Sequence, residues 1–280
     1  MSALINIPLA TLSLTVRMWG NGPRCAMLLH GFPDTPDGMA PVAERLVAAG
    51  YTVAAPYLRG YAPSDLAPDG RYDVEVLSAD ILCLLEELDF SDTCLVGHDW
   101  GAVIAYACAA QDVERISRVV ALSVPPIPQF IQGFRRNPSQ LWYSGYMGLF
   151  QLTYFAESRV SKNEYEYIDA LWARWSPNLT PPAGHLDAVK ACLAHPGSLR
   201  AALSYYRALI PGRSSRWLEN WRLAHASPLC PIVVICGAAD GCIQAGMFSE
   251  IPYPTTTIPD VGHFMALEAP DFIAEVCLQG

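Results

Sequence analysis

Buried strands alternate with helices along the first 124 residues of this 280-residue chain, and this alternation restricts the possible folds more than any other feature. The continuous apolar runs at 25–29 and 52–56 are typical of strands that are buried on both faces. Strands separated by helices form a mostly parallel sheet with helices on both sides. The sequence therefore predicts an α/β fold with a doubly wound sheet, preceded by an antiparallel hairpin formed by residues 4–10 and 11–19.

The alternation stops after residue 124 and resumes with an apolar strand at 231–236. The segment between them is rich in aromatic residues and is divided by prolines, which end helices. Its periodicity predicts helices at 140–154, 164–175, 185–194 and 199–210. We therefore expect a core domain formed by residues 1–124 and 223–280, with residues 125–222 inserted as a helical cap, or lid.

Composition excludes several classes of protein. A chain with 52% hydrophobic and 16% charged residues is not disordered, and a net charge of −9 without a basic run disfavours binding to nucleic acid or to an anionic membrane. We find no apolar run of transmembrane length and no signal peptide, so we expect a cytoplasmic location. The nine cysteines include no C-x-x-C pair, which favours buried thiols over a zinc site.

Residues 97–101, Gly-His-Asp-Trp-Gly, lie directly between a predicted strand and a predicted helix. Two glycines around an exposed side chain are typical of a nucleophile elbow, the sharp turn that presents a catalytic nucleophile. The nucleophile here is the carboxylate of Asp99, which can attack a saturated carbon to form an ester and needs no base to activate it. The alternative is that Asp99 only caps the following helix.

An acid and a histidine follow Asp99 in the order that a catalytic triad on this kind of sheet requires. Asp240 comes after the strand 231–236, and His263 lies between a short strand and the last helix. Asp260 is a rival acid because it is close to His263 in sequence, but we interpret it as a strand-end residue.

Residues 30–34, His-Gly-Phe-Pro-Asp, follow the strand 25–29. At this position the backbone N–H of Phe32 can point to the same place as the N–H of Trp100. Two such donors would form an oxyanion hole. The alternative is an ordinary turn.

These motifs resemble those of the epoxide hydrolases with an α/β-hydrolase fold. The matching segments lie at 30–33, 59–65, 97–101, 240–242 and 262–263, in the family's order, and the resemblance covers nearly the whole chain. Ala62 is a departure, since the family usually has glycine there. The resemblance implies that the chain converts an apolar epoxide to a vicinal diol through an ester on Asp99, with no metal or organic cofactor.

The same resemblance implies that the cap supplies two tyrosines that protonate the epoxide oxygen. Residues 203–207, Leu-Ser-Tyr-Tyr-Arg, are similar to the family segment L-N-W-Y-R and point to Tyr206. Residues 144–151 are similar to S-W-Y-M-L-x-F-Q and point to Tyr146, although Gly145 replaces a tryptophan. Tyr143 and Tyr154 remain alternatives to Tyr146.

Aromatic residues of the cap, such as Trp142 and Trp172, favour an apolar pocket for a small-molecule substrate. His30, Pro33 and Phe150 are expected to contribute to substrate binding. A homodimer is expected from the prevalence of such assemblies.

Two other functions fit the triad. A haloalkane or haloacid dehalogenase would share Asp99, Asp240 and His263, but many haloalkane dehalogenases have asparagine where Phe32 stands, and fluoroacetate dehalogenases have arginine where Trp100 stands. A halide leaving group also needs no proton. The second alternative is a non-hydrolytic homologue that modifies natural products, since one fold hosts many functions.

Overall fold

The structure is a computed structural model that describes residues 2–111 and 114–279. Its strands form one eight-stranded sheet in the order β1-β2-β4-β3-β5-β6-β7-β8. The strands are β1 (Ser2–Pro8), β2 (Ser13–Trp19), β3 (Arg24–Leu29), β4 (Tyr51–Pro56), β5 (Thr93–His98), β6 (Ile116–Leu122), β7 (Ile232–Gly237) and β8 (Thr255–Ile258). The pairs β1–β2 and β2–β4 are antiparallel and the remaining pairs are parallel, which confirms the predicted hairpin and the mostly parallel sheet.

Helices flank this sheet and also form a long insertion between β6 and β7. The helices are α1 (Ala40–Ala48), α2 (Val74–Glu87), α3 (Trp100–Ala109), α4 (Ile127–Gly133), α5 (Gln140–Tyr143), α6 (Gly145–Phe150), α7 (Phe155–Trp175), α8 (His185–Ala194), α9 (Ser198–Ala208), α10 (Trp217–Ala224), α11 (Met265–Glu268) and α12 (Pro270–Leu278). Two 3₁₀ helices lie at Pro36–Met39 and Ala245–Phe248. We call α4 to α10 the helical insertion. No helix in the described part of the chain is long and apolar enough to cross a membrane.

Two predicted helices are divided in the structure. The predicted helix 140–154 is two short helices, α5 and α6, that meet at Ser144. Gly145, directly after Ser144, disfavours one continuous helix here, since glycine costs about 1 kcal/mol relative to alanine inside a helix. The predicted C-terminal helix is divided at Pro270, which begins α12 because proline fits only the first turn of a helix.

The core has two parts, one on each face of the sheet, and β3 contributes to both. Met27 and Leu29 belong to the part that includes α2, α3 and the helical insertion. Ala26 and Leu28 belong to the part under α1 and α12. All four side chains are fully buried, as expected for a continuous apolar strand inside a parallel sheet.

The helical insertion is fastened to two core loops by hydrogen bonds. The indole N–H of Trp172 donates to the carbonyl oxygen of Pro33 at 2.9 Å. The hydroxyl of Tyr205 donates to the carbonyl oxygen of Arg59 at 2.8 Å. Both loops follow strands at their carboxyl ends, where open α/β sheets bind ligands. The insertion therefore lies over the edge at which a site is expected.

Candidate active site

The turn between β5 and α3 has no room for a side chain at Gly97 or Gly101. Asp99 has a φ of 52°, which is unusual for a residue with a side chain. A Cβ added to Gly97 would lie 2.2 Å from the carbonyl oxygen of Gly101, and one added to Gly101 would lie 2.2 Å from that of Leu29. The glycines thus allow the tight turn that turns the Asp99 carboxylate toward the insertion, in the manner of a nucleophile elbow.

Asp99, Asp240 and His263 are brought together at the carboxyl ends of β5 and β7. The His263 Nδ1 lies 2.9 Å from Oδ2 of Asp240, and its Nε2 lies 3.7 Å from Oδ2 of Asp99. The other oxygen of Asp240 accepts hydrogen bonds from the backbone N–H groups of Cys242 and Ile243, at 2.6 and 3.0 Å. This arrangement orients the ring so that Nε2 faces the Asp99 carboxyl group.

Two residues without a sequence-predicted role hold the backbone of His263. The His98 ring nitrogen Nε2 lies 2.9 Å from the carbonyl oxygen of His263, and the Ser123 hydroxyl donates to the same oxygen at 2.7 Å. Burial, together with the nearby His263, lowers the pKa of His98 to about 4, so that its ring is neutral. His98 belongs to the elbow motif, but no local pattern marks Ser123.

A backbone donor already contacts the nucleophile. The N–H of Phe32 donates to Oδ1 of Asp99 at 2.8 Å. Trp100 is the first residue of α3, and N–H groups in the first turn of a helix have no partner within the helix. These two groups are the ones that the sequence assigns to an oxyanion hole.

Tyr146 and Tyr206 border the same small cavity as Asp99, a space of about 60 Å³. The Tyr206 hydroxyl has no hydrogen-bond partner among the described residues, and the Tyr146 hydroxyl lies 3.4 Å from Sγ of Cys242. Burial raises the pKa of both tyrosines well above the usual range, so both hydroxyls carry a proton at neutral pH. The cavity thus places two proton donors near a carboxylate.

The alternative residues lie outside this cavity. Asp260 is exposed, whereas Asp240 is the acid bonded to His263. Tyr154 is 72% exposed, and the ring of Tyr143 lies under the guanidinium of Arg174.

His30, Pro33 and Phe150, which the sequence assigns to substrate binding, lie behind the cavity wall and do not line it. Both ring nitrogens of His30 bind backbone groups, the carbonyl oxygen of Gly31 and the N–H of Leu58. The carbonyl group of Pro33 is bonded to Trp172 in the insertion. Phe150 is fully buried, with its ring edge-on to Tyr206 at 5.1 Å. The structure therefore places these three residues where they support the loop and the tyrosine.

His263 is surrounded by negative charge. Burial lowers the pKa of its ring, but the carboxylates of Asp240 and Asp99 outweigh this effect and raise the pKa to about 10. His263 is therefore protonated at neutral pH.

Asp240, Cys242 and His263 have potential ligand atoms within 4.8 Å of one another, which is close enough to hold a metal ion. Burial raises the pKa of the Cys242 thiol well above its usual range, whereas metals bind the thiolate. Both oxygens of Asp240 are used in hydrogen bonds. These three residues therefore fit a hydrogen-bonded cluster better than a metal centre.

Comparisons with known proteins agree with this architecture. A family model described as the alpha/beta hydrolase fold matches residues 27–270. The chain is 33% identical to AB hydrolase superfamily protein YfhM of Bacillus subtilis, over 66% of this chain and 65% of that protein. It is 26% identical to epoxide hydrolase 4 of Mus musculus, over 90% of this chain and 71% of that protein.

Among solved structures, epoxide hydrolase A from Mycobacterium thermoresistibile matches with a TM-score of 0.81 and 23% identity, over 100% of this chain and 99% of the other. At this identity the match shows the fold. The names of these relatives agree with the resemblance to epoxide hydrolases that the sequence motifs indicate. The chain belongs to the α/β-hydrolase fold family.

Proposed function

We propose that this protein hydrolyses an apolar epoxide to a vicinal diol through an ester on Asp99, with residues 125–222 acting as the lid. The observation that carries the proposal is the pair of protonated tyrosines, Tyr146 and Tyr206, which share one small cavity with the Asp99 carboxylate. Opening an epoxide creates an alkoxide, which is a poor leaving group unless a proton arrives during the attack. The relatives that are named epoxide hydrolases support the same conclusion.

In the first step an oxygen of Asp99 attacks an epoxide carbon, and the bond between that carbon and the epoxide oxygen breaks. Tyr206, assisted by Tyr146, gives its proton to the departing oxygen. The ester has no negative charge, so the pKa of His263 falls once Asp99 has reacted. His263 then loses its proton, which restores the tyrosine and leaves a neutral imidazole.

In the second step Nε2 of His263 takes a proton from water, and the hydroxide attacks the carbonyl carbon of the ester. The N–H groups of Phe32 and Trp100 stabilise the oxyanion. The tetrahedral intermediate releases the diol as its alkoxide, which takes the proton of the new Asp99 carboxyl group. The site returns to the carboxylate, the imidazolium and two neutral tyrosines.

Dehalogenation would use the same triad, but a halide leaves without a proton, so the two tyrosines would have no role in the reaction. A non-hydrolytic role would not require the oriented hydrogen bond between Asp240 and His263. Both alternatives therefore leave observed features of the site unexplained.

The decisive experiment is intact-protein mass spectrometry of His263→Gln after incubation with a panel of epoxides and haloalkanes. We expect a mass gain equal to a whole epoxide, mapped to Asp99, because the variant forms the ester but cannot hydrolyse it. His195→Gln, at an exposed histidine, is the control and should accumulate no adduct. A gain equal to a haloalkane minus HX would indicate a dehalogenase, and no adduct on the folded variant would contradict the proposal.

A further inference from the structure

A second and larger cavity, of about 360 Å³, adjoins the cavity beside Asp99. Four side chains border both spaces: Ile127, Phe130, Met147 and Leu209. We call the larger space the apolar cleft. It extends between α2, α4, α5, α6, α9 and α10. Its volume is more than twice the ~150 Å³ of a protein cavity that holds one benzene molecule.

The walls of the apolar cleft present hydrocarbon to a ligand. None of the described residues that line it carries a charge. Its polar side chains are already bonded within the protein: the Tyr205 hydroxyl to the carbonyl oxygen of Arg59, the Asn220 amide to the N–H of Glu75, and the Ser144 hydroxyl to a neighbouring amide. A neutral apolar group would gain free energy by leaving water here. A charged group would lose hydration and find no partner.

The cavity beside Asp99 restricts the other end of the substrate. Its space of about 60 Å³ accommodates the epoxide ring and only a small substituent next to the tyrosines. A large group must therefore extend in one direction, past the side chains that border both spaces. Met147 is flexible and can change rotamer to let a chain pass.

We infer that the apolar cleft binds the hydrocarbon tail of the substrate, and that the substrate is a terminal epoxide on a neutral tail. The volume of the cleft, compared with the ~150 Å³ cavity that holds one benzene molecule, corresponds to a tail of about a dozen carbon atoms. This inference rests on the proposed function for the identity of the reacting group. The cleft itself can be tested without catalysis.

The catalytic test compares 1,2-epoxybutane, 1,2-epoxyoctane and 1,2-epoxydodecane. We expect kcat/KM to rise roughly two- to fourfold for each added methylene until the cleft is full, mainly through a lower KM, because each methylene leaves water. Replacing Ala224, which lines the apolar cleft but not the cavity beside Asp99, by Phe fills part of the cleft. Ala224→Phe should lower kcat/KM for epoxydodecane at least tenfold and leave epoxybutane unchanged.

Two further variants serve as checks. Ala208→Phe fills the same cleft from α9 and gives a second result if Ala224→Phe does not fold. Ala173→Phe, at an exposed position of α7, is the matched control and should behave as the wild type.

Charge is tested with 11,12-epoxydodecanoate against its methyl ester, and the ester should be the better substrate by at least tenfold.

Binding of 1-dodecanol, followed by calorimetry, tests the apolar cleft independently of any reaction. We expect binding to the wild type and to Ala173→Phe, and at least tenfold weaker binding to the two filled variants. Equal binding to all variants, or a preference for the free acid, would overturn the inference and leave the proposed function intact. Dodecanol binding that is lost in the filled variants, without turnover of any epoxide, would overturn the proposed function and keep an apolar-ligand site.

Discussion

His263 lies between two carboxylates, and only one of them changes during the proposed reaction. Asp240 stays bonded to Nδ1, whereas Asp99 alternates between a carboxylate and a neutral ester. The same ring can therefore be an imidazolium when the nucleophile is free and a base when the ester has formed. The charge of Asp99 therefore determines the step at which His263 acts as a base.

Asp99→Asn imitates the loss of that charge with little change in shape. We expect the pKa of His263 to fall below its wild-type value of about 10, because one of the two carboxylates that raise it is gone. NMR titration of protein with ¹³C-labelled histidine measures the shift. Asp69→Asn, on an exposed loop, should leave the pKa unchanged. An equal His263 pKa in wild type and Asp99→Asn would contradict the electrostatic argument.

Removing both tyrosine hydroxyls should slow only the first step. With Tyr146→Phe and Tyr206→Phe combined, we expect ester formation to slow by about 10²–10⁴, the usual contribution of a general acid, with little change in ester hydrolysis. Rapid-quench kinetics with intact-mass detection separates the two rates. Tyr154→Phe, at an exposed tyrosine, is the control. Equal losses in both steps would contradict the proton-donor role.

At this scale the sequence predicts residues that a local motif marks. Asp99, Asp240 and His263 follow strands and stand beside glycines, and the structure brings them together. Ser123 was missed because its bond to a backbone carbonyl depends on the packing of β6 against the loop of His263. The assignment of Phe150 to substrate binding stays a prediction.

Helix α8 is fastened to the core by a buried hydrogen bond between His185 and Asp34. The His185 ring Nε2 lies 2.9 Å from Oδ1 of Asp34, in the loop that carries the N–H of Phe32. Burial lowers the pKa of His185, but the hydrogen bond to Asp34 and the charges of Asp34 and Asp37 outweigh this and raise it. The folded protein therefore holds this proton more tightly than the unfolded chain does.

This shift predicts a pH-dependent contribution to stability. A pKa raised on folding stabilises the protein fully below the unfolded value of about 6.5, and the effect is lost as the pH rises through the higher folded value. We expect the difference in free energy of unfolding between wild type and His185→Gln to be largest near pH 5.5 and to shrink toward alkaline pH. Urea unfolding at several pH values measures it. His195→Gln should retain the wild-type profile, and a difference independent of pH would contradict the assignment.

The elements of the core were easier to predict from sequence than those of the insertion. Parallel strands are continuous apolar runs with glycine or proline at or shortly after their ends: β4 ends at Pro56, and Gly31 lies two residues after β3. Helices α5 and α6 were predicted as one helix because their apolar periodicity continues across Ser144. Where such short helices end depends on their packing against neighbours, which periodicity does not contain.

At the scale of the whole molecule, the position of the insertion relative to the sheet follows from the order of the elements along the chain. An insertion after β6 starts at the carboxyl edge of the sheet, so its position over Asp99 is a consequence of topology. The alternation of strands and helices was sufficient to predict the sheet and the insertion. The apolar cleft was not predictable, since residues from six helices line it. The predicted homodimer and cytoplasmic location stay predictions.

The bonds between the insertion and the core have a consequence for the engineering of chimeras. Trp172, Tyr205 and His185 all bind the loops after β3 and β4, and one of these loops supplies the backbone donor to Asp99. The position of that donor therefore depends on how the insertion packs against the core. If the helices of another relative replaced the insertion, the Phe32 N–H would shift unless Asp34, the core residue that binds His185, were exchanged with them. Recombination breakpoints that preserve catalysis should therefore lie inside the core strands and not at the ends of the insertion.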